Sequence, residues 1–238
     1  MTAATPSAAA LTAAGAEHAR QGRWPDAEAC FRAAWRQDLG DKVARHSLAT
    51  ALLALGRYCE GFELYALRRE LPQFPAPPQL PWPEWRGESL SGRHILLFPE
   101  QGLGDQIQFA RFAPQLAASG AEVTLFCAPA LTRCFAALGV RVVAASGAAE
   151  FPEPDVWAFG LDVPGRLGVE PDTLPNAPYL RGTPRSLGGA RIGIVRRGNP
   201  AHGNDANRSM PDDCGCRSRP RAWRPRTPAR ATCRTPPT

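Results

Sequence analysis

Residues near the start of the chain repeat when the sequence is shifted by 34 positions. Gly22 falls on Gly56, Arg23 on Arg57, Trp24 on Tyr58, Ala27 on Gly61 and Phe31 on Tyr65. A glycine at the same place in both copies supplies the backbone freedom needed for a tight turn between antiparallel helices. The small residue after it lets two helices approach closely, and the aromatic four positions later lies on the same helical face. Gly15 and Ala49 hold the equivalent small position in the preceding helix. The pattern predicts helices over 8–21, 25–37, 42–55 and 58–70. An array of four helices unrelated by repetition is the competing reading.

This period and placement of glycine, small residue and aromatic resemble the tetratricopeptide repeat. Two copies fall short of the roughly three usually needed for a free-standing stack, so the array over 8–70 is expected to lean on the neighbouring domain. The resemblance implies a surface for a protein or peptide partner; a short stack acting only as a structural cap is the alternative.

The pattern then changes. Residues 71–92 carry Pro72, Pro75, Pro77, Pro78, Pro81 and Pro83, which exclude helix and central strand. A stiff extended linker is expected, pinned to a surface by Trp82 and Trp85. Beyond it, residues 93–190 alternate short apolar runs with helical patterns. His94–Phe98, Val123–Phe126, Val140–Val143 and Val156–Phe159 read as strands. A helix comes after the first through Ile107, Phe109, Ala110, Phe112, Ala113 and Leu116, and another covers about 129–138. Such alternation implies a parallel sheet with right-handed crossovers, whose ligand edge lies at the carboxyl ends of the strands. The turn Glu100-Gln101-Gly102-Leu103-Gly104-Asp105 falls at that edge. It lacks the third glycine of a dinucleotide fingerprint, where Ile107 stands, and no acidic residue ends the second strand. Nor does it carry the Gly-Lys-Ser/Thr of a phosphate-binding P-loop.

The run Glu100-Gln101-Gly102-Leu103-Gly104-Asp105-Gln106-Ile107-Gln108-Phe109-Ala110-Arg111 resembles the signature of bacterial tetratricopeptide proteins with a glycosyltransferase-like domain, distantly similar to the heptosyltransferases. Pro83-x-Trp85-x-Gly87-Glu88-x-Leu90-x-Gly92, Pro178-Tyr179-Leu180, Ile192-Gly193-Ile194-Val195 and Gly198-Asn199-Pro200-x-His202-x-Asn204-Asp205-x-x-Arg208-Ser209 extend the resemblance over about 8–211. It implies an α plus α/β chain: tetratricopeptide hairpins, then the Rossmann-like N-terminal half of a GT-B fold (93–190), then the start of a second domain (191–211). The implied activity is sugar transfer from a nucleotide-sugar donor to an unknown acceptor, with neither cofactor nor metal. Asp105 matches the proposed catalytic base, a role that suits a carboxylate near an acceptor hydroxyl; its place at a helix start equally suits a cap. Gln101, Gly102, Gly104, Gln108 and Arg111 would bind substrate, with Gln106 a further sugar-binding candidate. His202, Asp205, Arg208 and Ser209 would face the donor phosphates. Arg196 and Arg197 replace the family's Trp-Ala before Gly198, which alters the donor side.

Charge decides against nucleic acid as a partner. The net charge of +6 comes from the end of the chain, where residues 214–238 hold seven arginines and no acid; the remaining 21 basic residues face 22 acidic ones. The body is therefore near neutral. Residues 212–238 lack any helix or strand period and cannot bury a core, so a disordered tail is expected. It reads either as the product of a frame shift, leaving a truncated enzyme with little or no transfer, or as a basic arm for an anionic surface. Seven cysteines in no paired spacing argue against a disulfide framework. Cys30, Cys59, Cys127 and Cys134 read as small buried apolar residues, and Cys214-x-Cys216 with Cys233 is too sparse for zinc. The chain has no run of about 20 apolar residues and no basic-then-apolar leader, so a cytoplasmic protein is expected.

Overall fold

The computed structural model describes residues 6–74, 76–147, 150–182, 196–198, 200 and 205–210. Residues 1–183 form one compact unit and 184–238 another. The expected strand Ile192–Val195, His202 and the whole tail 212–238, with Cys214, Cys216 and Cys233, lie outside the described residues.

The first unit opens with two helical hairpins: α1 (Ala8–Arg20) with α2 (Trp24–Gln37), and α3 (Lys42–Ala54) with α4 (Tyr58–Tyr65), the last running into a 3-10 turn at Ala66–Glu70. Ser7 caps α1 through Ala10 N–H, and the Asp41 carboxylate caps α3 through Val43 and Ala44 N–H, the latter two at 2.9 Å. Both hairpin turns rest on a left-handed glycine, Gly22 at φ 72° and Gly56 at φ 76°. The small positions mark real close approaches. A Cβ on Gly15 would stand 2.7 Å from the Phe31 ring, and one on Gly61 2.8 Å from Leu53. Phe31, Leu48, Ala51 and Leu52 are buried between the hairpins, with Trp24 packed against them.

The second part is a four-stranded, wholly parallel sheet in the order β3-β2-β1-β4. Its strands are β1 (His94–Phe98), β2 (Glu122–Cys127), β3 (Arg141–Ala144) and β4 (Val156–Phe159). The central strands are largely apolar on both faces, as a doubly covered parallel sheet requires, and their buried polar residues His94 and Thr124 bond to each other at 2.9 Å. One face carries Ile95, Leu97, Val123 and Leu125 beneath α5 (Leu103–Ala110) and α6 (Phe112–Ala118). The other carries Leu96, Phe126, Trp157 and Phe159. The single helix expected after the glycine turn breaks at Arg111. The helix expected over 129–138 is a short α-helix, α7 (Thr132–Phe135), flanked by 3-10 turns and stopped by left-handed Gly139. A last turn, α8 (Val163–Arg166), comes after β4. Among the described residues no helix is long and apolar enough to cross a membrane.

Two expectations need correction. Residues 83–85, read as linker, lie beside β4: Trp85 N–H donates to Trp157 O at 2.8 Å and Trp157 N–H to Pro83 O at 3.1 Å. A proline-flanked segment can do this because it adds only at an edge. Trp85 accordingly sits in the sheet's core and donates its indole N–H to Glu88 O, while Trp82 is half-buried against Phe151. Cys59 and Cys134 are exposed, unlike buried Cys127 and half-buried Cys30. The amphipathic pattern placed all four near apolar neighbours but could not say which short helix turns outward.

The helical part is fastened to the sheet by a buried ion network. Arg68, from the 3-10 turn after α4, is 1% exposed. It donates through Nε to Glu100 at 2.9 Å, through one terminal nitrogen to the other Glu100 oxygen, and through the second to Asp162 at 2.6 Å. Burial alone would lower its pKa, but the two carboxylates outweigh burial and raise it. Glu84 extends the network by accepting from Arg69 at 2.8 Å and from Arg166. Burial works to raise the Glu84 pKa, but these cations hold it down. Removing one partner strands a buried charge, so Arg68→Met should destabilise the first unit by about 3–5 kcal/mol, read from the denaturant midpoint.

His46 lies beside this anchor, ringed by Tyr65 and Phe74 with centroids 5.3 and 5.2 Å away. Burial, then the Arg68 charge, lowers its pKa from 6.5. The unfolded chain therefore takes up the proton first as pH falls, and stability complete above pH 6.5 is lost below it. His46→Gln should flatten the fall in melting temperature between about pH 7.5 and about pH 5; an unchanged slope would place the acid sensitivity elsewhere.

Candidate functional site

The glycine turn crosses the carboxyl end of β1, at the edge where parallel sheets take ligands. Its first residue is committed inward, since Glu100 is 4% exposed and held by Arg68. The chain then turns sharply outward. Gln101 takes a left-handed φ of 61°, uncommon for a residue with a Cβ, and Gln101, Gly102, Leu103 and Gly104 are all exposed. The Gln101 amide donates to the Tyr65 hydroxyl at 3.0 Å, so the last helix of the array reaches the turn. Burial pushes the Tyr65 phenol above its usual pKa.

Asp105 stands in the first turn of α5 and is half-buried. Its Oδ2 accepts the Gly102 N–H at 3.0 Å, a cap that holds the turn closed. Its Oδ1 has no hydrogen-bond partner among the described residues. The capping and chemical readings of Asp105 thus use different oxygens. Gly104 differs from the other helical glycines, Gly15, Gly61 and Gly165, where a Cβ would stand under 3 Å from a neighbour. Its φ is not left-handed, and a Cβ there would meet nothing within 4 Å. Neither conformation nor packing among the described residues requires a glycine, although glycine within a helix costs about 1 kcal/mol relative to alanine.

The expected substrate residues part company around this turn. Gln101 and the two glycines lie together. Gln106 turns inward and accepts the Ala128 N–H at 2.8 Å, tying α5 to the end of β2. Gln108 is exposed and borders a small apolar pocket of about 180 Å³ with Phe62 and Phe109. Arg111 lies at the far end of α5, about 12 Å along the axis at 1.5 Å per residue. Its guanidinium donates to Gln108 O at 2.9 Å and Pro175 O at 3.2 Å and lies over the Tyr179 ring. Tyr65 had no signal in a single sequence beyond its repeat position, because its reach to Gln101 exists only once the array docks.

In the second unit, Asp205 and Ser209 meet. The Ser209 hydroxyl donates to Asp205 at 2.9 Å and accepts the Gly198 N–H at 2.8 Å. They border a cavity of about 390 Å³ with Arg197. A Cβ on Gly198 would stand 2.5 Å from the Asp205 carboxylate, so a larger residue there would push that side chain aside. Arg208 has an exposed side chain. Among the described residues no group of three or more His, Cys, Asp or Glu side chains could hold a metal ion.

Gly104→Ala should leave the melting temperature unchanged or raise it, because the space is open and alanine is the better helix former. A drop of several degrees would mean that the glycine has a packing role after all.

Over 97 residues the chain is 39% identical to protein FlbA of Caulobacter vibrioides, a match covering 38% of this chain and 15% of that protein. The match therefore spans a small part of FlbA's length. No family model matches the chain, and no solved structure matches it.

Proposed function

We propose that the chain is a glycosyltransferase-like protein of GT-B type. The Rossmann-like domain expected over 93–190 would form its acceptor side, preceded by two tetratricopeptide repeats over 8–70. The observation that carries this reading is the exposure of Gly102, Leu103 and Gly104 at the carboxyl edge of a parallel sheet, within the motif whose resemblance to such enzymes extends from Glu100 to Arg111. An acceptor sugar could approach the backbone closely at Gly104, where nothing else needs the space. Asp105 Oδ1 would take the proton of the attacking hydroxyl while Oδ2 keeps its bond to Gly102. Gln101, steadied by Tyr65, would orient sugar hydroxyls. The donor is a nucleotide sugar, and Asp205, Arg208, Ser209 and His202 would face its phosphates; an arginine fork suits diphosphate oxygens. A cytoplasmic setting belongs to the same proposal.

The alternative is an interaction module with an inert α/β appendage. Leu39 and Val43, 69% and 57% exposed at the turn between the hairpins, favour it. Trp24 and Tyr58 would not anchor such a partner, since both pack inward.

Sugar transfer from radiolabelled nucleotide sugars, measured with protein expressed from its native locus, separates the two. Asp105→Asn should lower kcat by about 10²–10⁴-fold, the usual contribution of a general base, at an unchanged melting temperature. Absence of transfer from every donor, also when the chain is extended by a complete donor domain, would reject the enzymatic reading and leave the interaction module.

A further inference from the structure

A cleft of about 410 Å³ opens between α6 and the segment around Tyr179, at the other end of α5 from the glycine turn. Its volume lies in the range of about 300–1,000 Å³ typical of small-molecule sites. Among the described residues that line it, the cations are Arg111 and Arg181; Gln115 adds an amide, and Pro114, Pro178 and Tyr179 add flat apolar walls. No Asp or Glu is among the described residues that line it.

Arg111 is unlike the other well-covered arginines of the first unit. Arg32, Arg45, Arg68, Arg69 and Arg166 each pair with a carboxylate. Arg111 is half-buried, and among the described residues its contacts are two backbone carbonyls and the Tyr179 ring. Those neutral groups fix the guanidinium plane without neutralising its charge. The donors they leave unused form part of a rigid fork suited to paired oxyanion oxygens. Tyr179 is itself held by a 2.7 Å hydrogen bond from its hydroxyl to Ile107 O, so the stack is organised before any ligand arrives, which lowers the entropic cost of binding. Arg181, exposed at the rim, adds a second positive charge.

We propose that this cleft binds a small organic oxyanion. Its phosphate or carboxylate group would sit between Arg111 and Arg181, and its apolar body would pack against Tyr179 and the prolines. The site is distinct from the glycine turn and does not depend on the sugar-transfer reading: Asp105→Asn should leave binding here unchanged.

The test titrates the full chain with phenyl phosphate, benzoate and inorganic phosphate by calorimetry, with circular dichroism as the check on folding. Saturable one-to-one binding of phenyl phosphate or benzoate is expected, tighter than that of inorganic phosphate, and the tighter of the two identifies the anionic group. Arg181→Gln, which alters only an exposed side chain, should weaken binding by about fivefold. Arg111→Lys, which keeps the charge and loses the fork, should weaken it by about tenfold or more, equivalent to about 1.4 kcal/mol. If Arg111→Lys does not fold, Arg181→Gln decides alone. The proposal is overturned by the absence of binding for either organic anion at about 10 mM, or by binding that persists at full strength in the folded variants.

Discussion

Arg68 holds the helical and α/β parts of the first unit in one arrangement. Its guanidinium emerges from the end of the helical array and enters the carboxyl edge of the sheet, where Glu100 lies just past β1 and Asp162 just past β4. Two strand ends and one helix end are thereby fixed to a common point. Such a buried pair adds little to net stability compared with apolar packing, but it tolerates few alternative arrangements because any other leaves a charge unpaired. The second ring of Glu84, Arg69 and Arg166 brings the proline-rich segment into the same arrangement.

The consequence for the candidate site is geometric. Because Glu100 is drawn inward, the next residue must reverse direction, and Gln101 does so at a left-handed φ. Gly102, Leu103 and Gly104 are then displayed at the sheet edge. Tyr65 completes the arrangement. It occupies the repeat position that Phe31 fills in the first copy, but Phe31 is buried between hairpins whereas Tyr65 reaches out to Gln101. The second copy has the α/β part as its neighbour in place of another hairpin, and a hydroxyl at that position has a use there.

The remaining glutamines and Arg111 show how one motif can be divided among several tasks. A helix of 8 residues separates its ends by two turns, so residues adjacent in sequence serve the sheet edge, the β2 terminus and the far cleft. Gly104 stands out because its local geometry would accept alanine, whereas Gly15, Gly22, Gly56 and Gly61 each answer to a turn or a close contact within the fold.

By itself the sequence determined the local elements. The 34-residue register placed four helices within a residue or two of their observed ends, apart from the tightening of the last into a 3-10 turn. The short apolar runs located the four strands, because helix and strand periodicities are properties of neighbouring residues. It also located the glycine turn at the sheet's carboxyl edge, a consequence of parallel connectivity. Tertiary structure decided the rest: that Pro83–Trp85 lies along β4, that Arg68 is buried, that Tyr65 meets Gln101, that Gln106 turns inward and that Arg111 belongs to a different cleft. Each depends on groups far apart in the chain. Arg68 and Asp162, for instance, are 94 residues apart, and no local pattern marks an arginine whose partners arrive only when the two parts close on each other.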